Sequence, residues 1–377
     1  MRTNKISGPK RLLHLFITIL LTASCIEAIS CLGTYILTRK VWMAYIPHLS
    51  QQKFNQYLNK RSIGLGWGPE TDSAGKIIHA VARTDPAFPS NQTPCVSAYG
   101  DSFTHGSLDD ATYPHFLSLN LNCAVANYGV GGYGSDQALM LFRAQADLDQ
   151  STVVILGHFT ENILRNVNQY RNLLYPGDEL ALKPRFILEG ERLHYVPPPV
   201  NSLEDFRSLE ENPKAKLPLE AFIDRPRRNF PYTLALLRWL FTDSHVRAKL
   251  AGIPRYAEFY KPGHPSGALQ LTARILETFV QEAGARGKRG AVLLIPSADD
   301  IEMARKTGEW VDQPLADILT QRGVTVIHAG PQILGRIGNE DLCKIYEGCV
   351  GHFNAAGYQL LASILADELR ARAWLQN

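Results

Sequence analysis

Apolar residues along this chain fall into short runs separated by longer amphipathic stretches. The runs at 95–99, 125–128, 152–156, 291–295 and 324–328 are apolar and rich in β-branched side chains, which predicts buried strands. Stretches at 113–121, 135–148, 269–286, 314–322 and 355–374 lie between or after them and predict helices. Strand alternating with helix predicts an α/β architecture, a parallel five-stranded sheet with helices on both faces. Ligands of such sheets bind beyond the carboxyl ends of the strands, and Ser102, Gly129, Asn162 and Ser297 all follow strand ends. Residues 170–265 break the alternation. They hold many of the 22 prolines, including Pro197-Pro198-Pro199, and read as a long insertion, a lid or cap over the sheet edge with a helix around 232–242. Residues 41–94 read as an approach segment with a loop at Gly64-Leu65-Gly66-Trp67-Gly68-Pro69, and 95–377 as the main domain.

Residues 1–40 follow a different pattern. Arg2, Lys5, Lys10 and Arg11 precede a largely apolar stretch at 12–37, interrupted by His14 and Glu27 and closed by Arg39 and Lys40. About 20 apolar residues cross a bilayer, whereas a cleaved signal has an apolar region of about 7–15 residues. One carboxyl near the middle of a span is costly but does not forbid insertion. The pattern predicts an N-terminal transmembrane helix acting as an uncleaved signal anchor, its basic residues held in the cytoplasm. The body of the chain is then anchored to the inner membrane on its periplasmic side. The alternative is a secreted protein, cleaved near Ala23 or Ala28.

Composition narrows the class. With 377 residues, 45% hydrophobic and 20% charged, most of the chain can fold around a core. A formal net charge of +3, with no basic stripe carrying interleaved aromatics, argues against a nucleic-acid partner, and Arg225-Pro226-Arg227-Arg228 reads as a solvated loop. Cys25 and Cys31 lie in the apolar span. Cys95 and Cys123 fall in two strands expected to be neighbours, while Cys343 and Cys349 bracket a short loop. Two such pairs suit disulfides in an oxidising compartment; buried thiols are the other reading. No cysteine or histidine spacing marks a metal site, so neither zinc nor another cofactor is assigned.

Candidate chemistry starts at Gly100-Asp101-Ser102-Phe103-Thr104. A serine at a strand-to-helix turn exposes its hydroxyl beside the free N–H groups of a helix start, where a nucleophile and an oxyanion site can be built. Asp101 reads as a structural residue that accepts backbone N–H groups and shapes that turn. Asn127-Tyr128-Gly129-Val130-Gly131-Gly132-Tyr133-Gly134 follows the second strand. It reads either as a phosphate-binding loop or as the source of a second oxyanion donor, the Gly132 N–H. Asn162, after the third strand, is the candidate third donor, with Asn166 as its alternative and helix capping as the ordinary role. His352, just before the last helix, is the candidate general base, with His105, His115 and His158 in competing positions. Asp136 and Gln137 open the helix after the second strand, where an acid suits the helix dipole.

Taken together, Gly-Asp-Ser after the first strand, Asn-x-Gly-x-x-Gly after the second, asparagine after the third and histidine before the last helix resemble the SGNH (GDSL) hydrolase family. The blocks occur in that family's order over residues 95–372. The chain is most similar to membrane-anchored bacterial members with a long insertion. The resemblance implies a flavodoxin-like three-layer α/β/α fold and ester hydrolysis or acyl transfer through a serine acyl-enzyme. It implies Ser102 as nucleophile, His352 as base, and the Ser102 backbone, Gly132 and Asn162 as oxyanion donors. The implied substrate is an acylated small molecule or polysaccharide. Two departures stand out. The family's aspartate three residues before the histidine is replaced by Cys349, and its Gly-x-Asn-Asp block reads Glu161-Asn162-Ile163. Glu347 or Asp341 could orient the imidazole in place of that aspartate, a backbone carbonyl could do so, or a Cys343–Cys349 disulfide could hold the histidine loop. The leading expectation is a serine esterase acting on short-chain O-acyl groups. The alternatives are an O-acyltransferase on a cell-surface glycan and an inactive glycan-binding scaffold.

Overall fold

In the computed structural model the five apolar runs form one parallel sheet. The structure describes residues 8–40, 50–69, 82, 85–88, 92–108, 110–145, 147–175, 179–222 and 229–375. The arginine cluster at 225–228, Arg2 and Lys5, and much of 41–94 lie outside the described residues. The strands are β1 (Val96–Gly100), β2 (Val125–Gly129), β3 (Val153–Phe159), β4 (Arg289–Ile295) and β5 (Val326–His328), in the spatial order β2-β1-β3-β4-β5. Every pairing is parallel. This is the flavodoxin-like order, whose direction of winding reverses between β1 and β3 and opens a crevice at the carboxyl ends there.

The helices used below are α1 (Gly8–Lys40), α2 (Tyr113–Leu121), α3 (Ser135–Gln145), α4 (Asn162–Asn166), α5 (Tyr232–Thr242), α6 (Ala268–Ala285), α7 (Ala298–Thr307), α8 (Gln313–Gln321), α9 (Ala329–Ile337) and α10 (Ala355–Ala371). Strand side chains alternate between two cores. Tyr99, Val154, Leu156, Val292 and Leu294 face Phe142 of α3, Ile163 of α4, Phe279 of α6 and Leu319 of α8. Ala98, Ile155, Leu293 and Ile327 face Leu117 of α2, Ile301 of α7, Ile333 of α9 and Leu365 of α10. Because both faces are covered, the strands read as apolar runs without polar alternation.

Local signals set the helix ends. The Thr112 hydroxyl accepts the His115 N–H at 3.1 Å to start α2, and Asn122 closes it in the left-handed region at φ 53°. Ser297 and Asp300 form a capping box on α7. Within 170–265, Phe186, Phe206, Phe222 and Phe259 join the same core as α3 and α6. That stretch therefore extends one layer of the sheet domain and carries its own helices and a hairpin of Arg185–Glu189 with Arg192–Val196. Helix α1 spans 33 residues, of which Gly8–Ile36 is long and apolar enough to cross a membrane.

Candidate active site

The turn after β1 is built around Asp101. Its buried carboxylate accepts the Phe103 N–H at 2.9 Å, and its carbonyl accepts the N–H groups of Thr104 and His105. Ser102 thus begins the helical turn Ser102–His105. Its own N–H has no partner among the described residues, as expected at a helix start. A Cβ at Gly100 would come within 2.2 Å of the Thr104 hydroxyl, so only glycine lets the turn fold back this tightly.

Ser102 Oγ lies 2.8 Å from His352 Nε2. The imidazole comes from the loop before α10. The Glu347 N–H donates to the His352 carbonyl at 2.8 Å, Tyr346 bridges to Phe353, and a disulfide joins Cys343 to Cys349. The ring rests on Phe103, with centroids 4.8 Å apart, and Phe103 stacks on Phe159 at 4.0 Å. No carboxylate bonds to His352 among the described residues. Glu347 is exposed, and its contact to His352 runs through the backbone. Asp341 spends its carboxylate on the Cys343 N–H at 2.9 Å. Neither candidate orienting acid therefore meets the imidazole; aromatic packing and a cross-linked loop hold it.

The competing histidines are engaged elsewhere. His105 Nδ1 contacts the Gly106 carbonyl at 2.7 Å, and His115 pairs with Asp85 at 2.9 Å. His158 is fully buried between Ser135 and Tyr260, and burial lowers its pKa to about 4.

Among the described residues, the segments that follow β1, β2 and β3 each leave one N–H donor without a partner: the Ser102 N–H, the Gly132 N–H and Asn162 Nδ2. The Gly132 N–H has no partner among the described residues, and Gly132 sits at φ +79° with a guanidinium 3.1 Å from where a Cβ would be. Asn162 is buried, and neither its Nδ2 nor its Oδ1 has a partner. It does not cap α4, whose preceding residue is Glu161. The alternative, Asn166, is committed: its Oδ1 accepts the Asp136 N–H at 3.2 Å and its Nδ2 donates to Thr272 at 2.9 Å. A buried, unpaired amide is costly in a free protein and calls for an explanation.

Arg165, which the sequence reading missed, ties these segments together. Its Nη1 donates to Asp101 Oδ2 at 2.8 Å and to the Tyr133 carbonyl at 2.9 Å, and it lies one helical turn after Asn162. One side chain thus joins the neighbours of Ser102 and Gly132 to the helix that carries Asn162. Burial raises the Asp101 carboxyl above its ordinary value, while Arg165, the Phe103 N–H and His352 oppose that shift. Arg171 Nη1 donates to the Gly132 carbonyl at 3.0 Å and its guanidinium packs over Tyr175 and Trp67. Burial, then repulsion from Arg165, lowers its pKa to about 10. No carboxylate pairs with Arg171 among the described residues, whereas Arg255 pairs with Glu161. Among the described residues Arg171 is thus a cation beside Gly132 without an ion-pair partner of its own, Asp101 acting on it only at longer range.

Two cavities adjoin these residues. One of about 900 Å³ is lined by Phe159, Glu161, Arg255, Tyr256, Ser297 and Val350, with Ala248 to Gly252 closing one wall. The other, about 280 Å³, is lined by Arg61, Trp67, Gly131 and Arg171. Asp136 pairs with buried Lys183, and Gln137 bridges Gly134 and Leu65, so both shape the glycine-rich loop. Cys95 is joined to Cys123, tying the start of β1 to the chain entering β2.

No family model matches the chain, and no curated protein matches its sequence. Solved structures do match. A lipase/acylhydrolase from Enterococcus faecalis is 15% identical, with 74% of this chain and 95% of that chain covered and a TM-score of 0.35. A lipolytic protein of the G-D-S-L family from Veillonella parvula is 13% identical over 74% and 98% of the two chains, with a TM-score of 0.35. A psychrotrophic esterase from Pseudoalteromonas sp. is 9% identical over 74% and 98%, with a TM-score of 0.35. At these identities and scores the function has to be read from this chain's own geometry. The structures this chain is similar to are described as lipolytic proteins and esterases, the class that its motifs resemble.

Proposed function

We propose that this chain is a serine esterase that removes short O-acyl groups from a carbohydrate or related substrate outside the cytoplasm. The observation that carries this reading is the 2.8 Å contact between Ser102 Oγ and His352 Nε2. As Oγ attacks the ester carbonyl carbon, His352 takes its proton. The negative oxygen of the tetrahedral intermediate accepts hydrogen bonds from the Ser102 N–H, the Gly132 N–H and Asn162 Nδ2, none of which has a partner among the described residues. Arg171, beside Gly132, adds positive charge on the same side. His352 then returns the proton to the departing alcohol oxygen. Water, deprotonated by the same imidazole, attacks the acyl-serine carbonyl; as the Oγ–acyl bond breaks, the imidazolium returns the proton to Ser102 Oγ and the carboxylic acid leaves. The imidazolium formed in each half-reaction lies against the Phe103 ring, a modest stabilisation in place of the usual acid.

The smaller cavity supports a sugar substrate, since Trp67 offers an aromatic face and Arg61 and Arg171 offer donors to hydroxyl or carboxylate groups. Residues 95–377 form the esterase unit, with 170–265 as an insertion that extends one of its layers and walls the larger cavity. Retention of α1 as a membrane anchor is supported by Glu27, whose carboxylate accepts the Tyr232 N–H at 2.7 Å and the Thr233 N–H at 3.3 Å. Cleavage near Ala28 would remove that cap and strand both donors. Cys349 in place of the usual aspartate, with no partner for His352 Nδ1 among the described residues, favours an inactive glycan-binding scaffold. Labelling by a fluorophosphonate separates the two readings. The folded wild-type protein is expected to label at Ser102, and Ser102→Ala and His352→Ala to lose labelling. No labelling of folded wild type would replace the esterase reading with the scaffold.

A further inference from the structure

Helix α5 has an unusual distribution of apolar surface. Its inner side carries Ala235 and Trp239, which is 1% exposed and packs with Val246. Its outer side carries Leu234, Leu237 and Phe241, which are 59%, 43% and 75% exposed. Those three lie at i, i+3 and i+7, one stripe of a helix. A helix in water puts its polar side outward; one that is apolar on both sides is buried in protein or in lipid.

What lies beside this stripe is α1. Glu27, Ser30, Cys31 and Thr34 of α1 follow the same i, i+3, i+4, i+7 spacing. Ser30 and Thr34 are buried, while the rest of α1 is largely exposed apolar surface from Leu12 to Ile36. Glu27 caps the α5 N-terminus, the Thr233 hydroxyl donates to Ser30 at 3.0 Å, and Leu236 meets Gly33. Small residues let two helices approach closely in a membrane. The contacts advance in the same direction along both helices, so α5 runs parallel to α1. With Ile36 at the outer edge of the hydrocarbon, Glu27 lies nine residues below it, or about 14 Å at 1.5 Å per residue, within a layer of about 30 Å, so Leu234 and Leu237 fall inside that layer and Phe241 at its edge.

We propose that α5 is inserted in the leaflet on the side of the folded body, with its Leu234, Leu237 and Phe241 face against lipid acyl chains. This rests on the reading of α1 as a retained anchor. It accounts for the exposed stripe and for the carboxylate in the apolar span, whose oxygens serve two helix-start N–H groups rather than lipid. Arg238, also exposed on α5, has the length to snorkel to the headgroups. The neighbouring helix Ser244–Ala251 walls the larger cavity, so insertion holds that wall of the cavity near the membrane surface.

The test uses the full chain, with Cys25→Ser and Cys31→Ser, reconstituted in phosphatidylcholine vesicles. Single cysteines at Ile19, Leu234, Phe241 or Lys306 carry an environment-sensitive fluorophore, and acyl-chain-brominated lipids serve as quenchers. Labels at 19, 234 and 241 are expected to be blue-shifted and quenched, and the label at 306 is not. Position 234 should respond to deeper bromines than 241, which lies about 10 Å nearer the headgroups along the helix. Quenching at 19 with water-like emission at 234 and 241 overturns the insertion of α5 and leaves the anchor standing. Water-like emission at 19 as well overturns both. All four positions are exposed, and a circular dichroism melt of each variant identifies any that fails to fold.

Discussion

Asn162 allows activity and stability to be driven in opposite directions by one substitution. In the free protein its amide is buried and makes no hydrogen bond through either polar atom. Leaving such a group unpaired costs about 1–3 kcal/mol. If Nδ2 finds its partner only in the oxyanion, the cost is recovered in the transition state, where one donor contributes about 2.7–4 kcal/mol. Asn162→Ala should then lower kcat about 10²–10³-fold with little change in KM, because the substrate ground state does not use the bond. Its stability should stay within about 1 kcal/mol of wild type, since loss of the unpaired amide offsets the small cavity left behind. Asn162→Leu, which fills the space with apolar atoms, should raise the melting temperature by about 2–4 °C per kcal/mol gained. Steady-state hydrolysis of p-nitrophenyl acetate and a thermal melt give both numbers. A fall in kcat of less than threefold, or destabilisation beyond about 2 kcal/mol, would refute the donor assignment, because the amide would then be serving the ground-state fold.

Other outcomes follow from the same geometry. Arg165→Met leaves the Asp101 carboxylate buried without its ion pair and should destabilise by about 3–5 kcal/mol; adding Asp101→Asn should restore part of that, as read from urea unfolding. Glu347→Gln should leave kcat/KM within about twofold, the donor-acceptor contact to His352 being through the backbone; a large drop would make Glu347 the orienting acid. Replacing Cys343 and Cys349 by serine frees a short loop, worth about 2 kcal/mol of closure entropy, and should lower kcat/KM about tenfold, or about 1.4 kcal/mol. Unchanged turnover after confirmed reduction counts against a role for this cross-link. Burial, with repulsion from Asp312, pushes the Asp300 carboxyl up to about 7. Its folded value lies above its unfolded one, so its contribution is full below about pH 4 and is lost as pH rises toward 7, by up to about 1.4 kcal/mol per unit. Asp300→Asn should therefore gain stability relative to wild type between pH 4.5 and 8, and a flat difference would show that Asp300 does not titrate there.

Much of this arrangement was legible in the chain because the determinants are local. All five strands were visible as apolar runs, since both sheet faces are covered and no polar alternation blurs them. Boundaries of α2, α6 and α8 fell within a residue or two of the expected ones, each marked by turn or capping residues. Helix α7 was missed although Ser297-Ala298-Asp299-Asp300 carries the capping-box pattern; its buried stripe is only Ala298, Ile301 and Ala304 beyond the cap. Helix α9 was missed because Gly330, Pro331 and Gly335 read as breakers, and packing against α10 overrides them. Ser102 and His352 were legible from their positions in the alternation. Arg165 was not, because its partners are 64 and 32 residues away. An arginine set in an apolar helix after a strand end, in a chain with a buried aspartate at the nucleophile turn, was the available clue. Phe103 as the support of the imidazole left no signal, since ring packing depends on the fold alone.

The two residues in contact at 2.8 Å are 250 positions apart in the chain. During synthesis the proposed nucleophile leaves the ribosome long before its proposed base exists. At about 5–20 residues per second, Ser102 spends more than ten seconds as an inert alcohol. Only when the final segment has docked does the hydroxyl acquire a proton acceptor. On the proposed esterase reading, hydrolytic competence reports that the whole sheet has closed, and a nascent or truncated product is silent by construction.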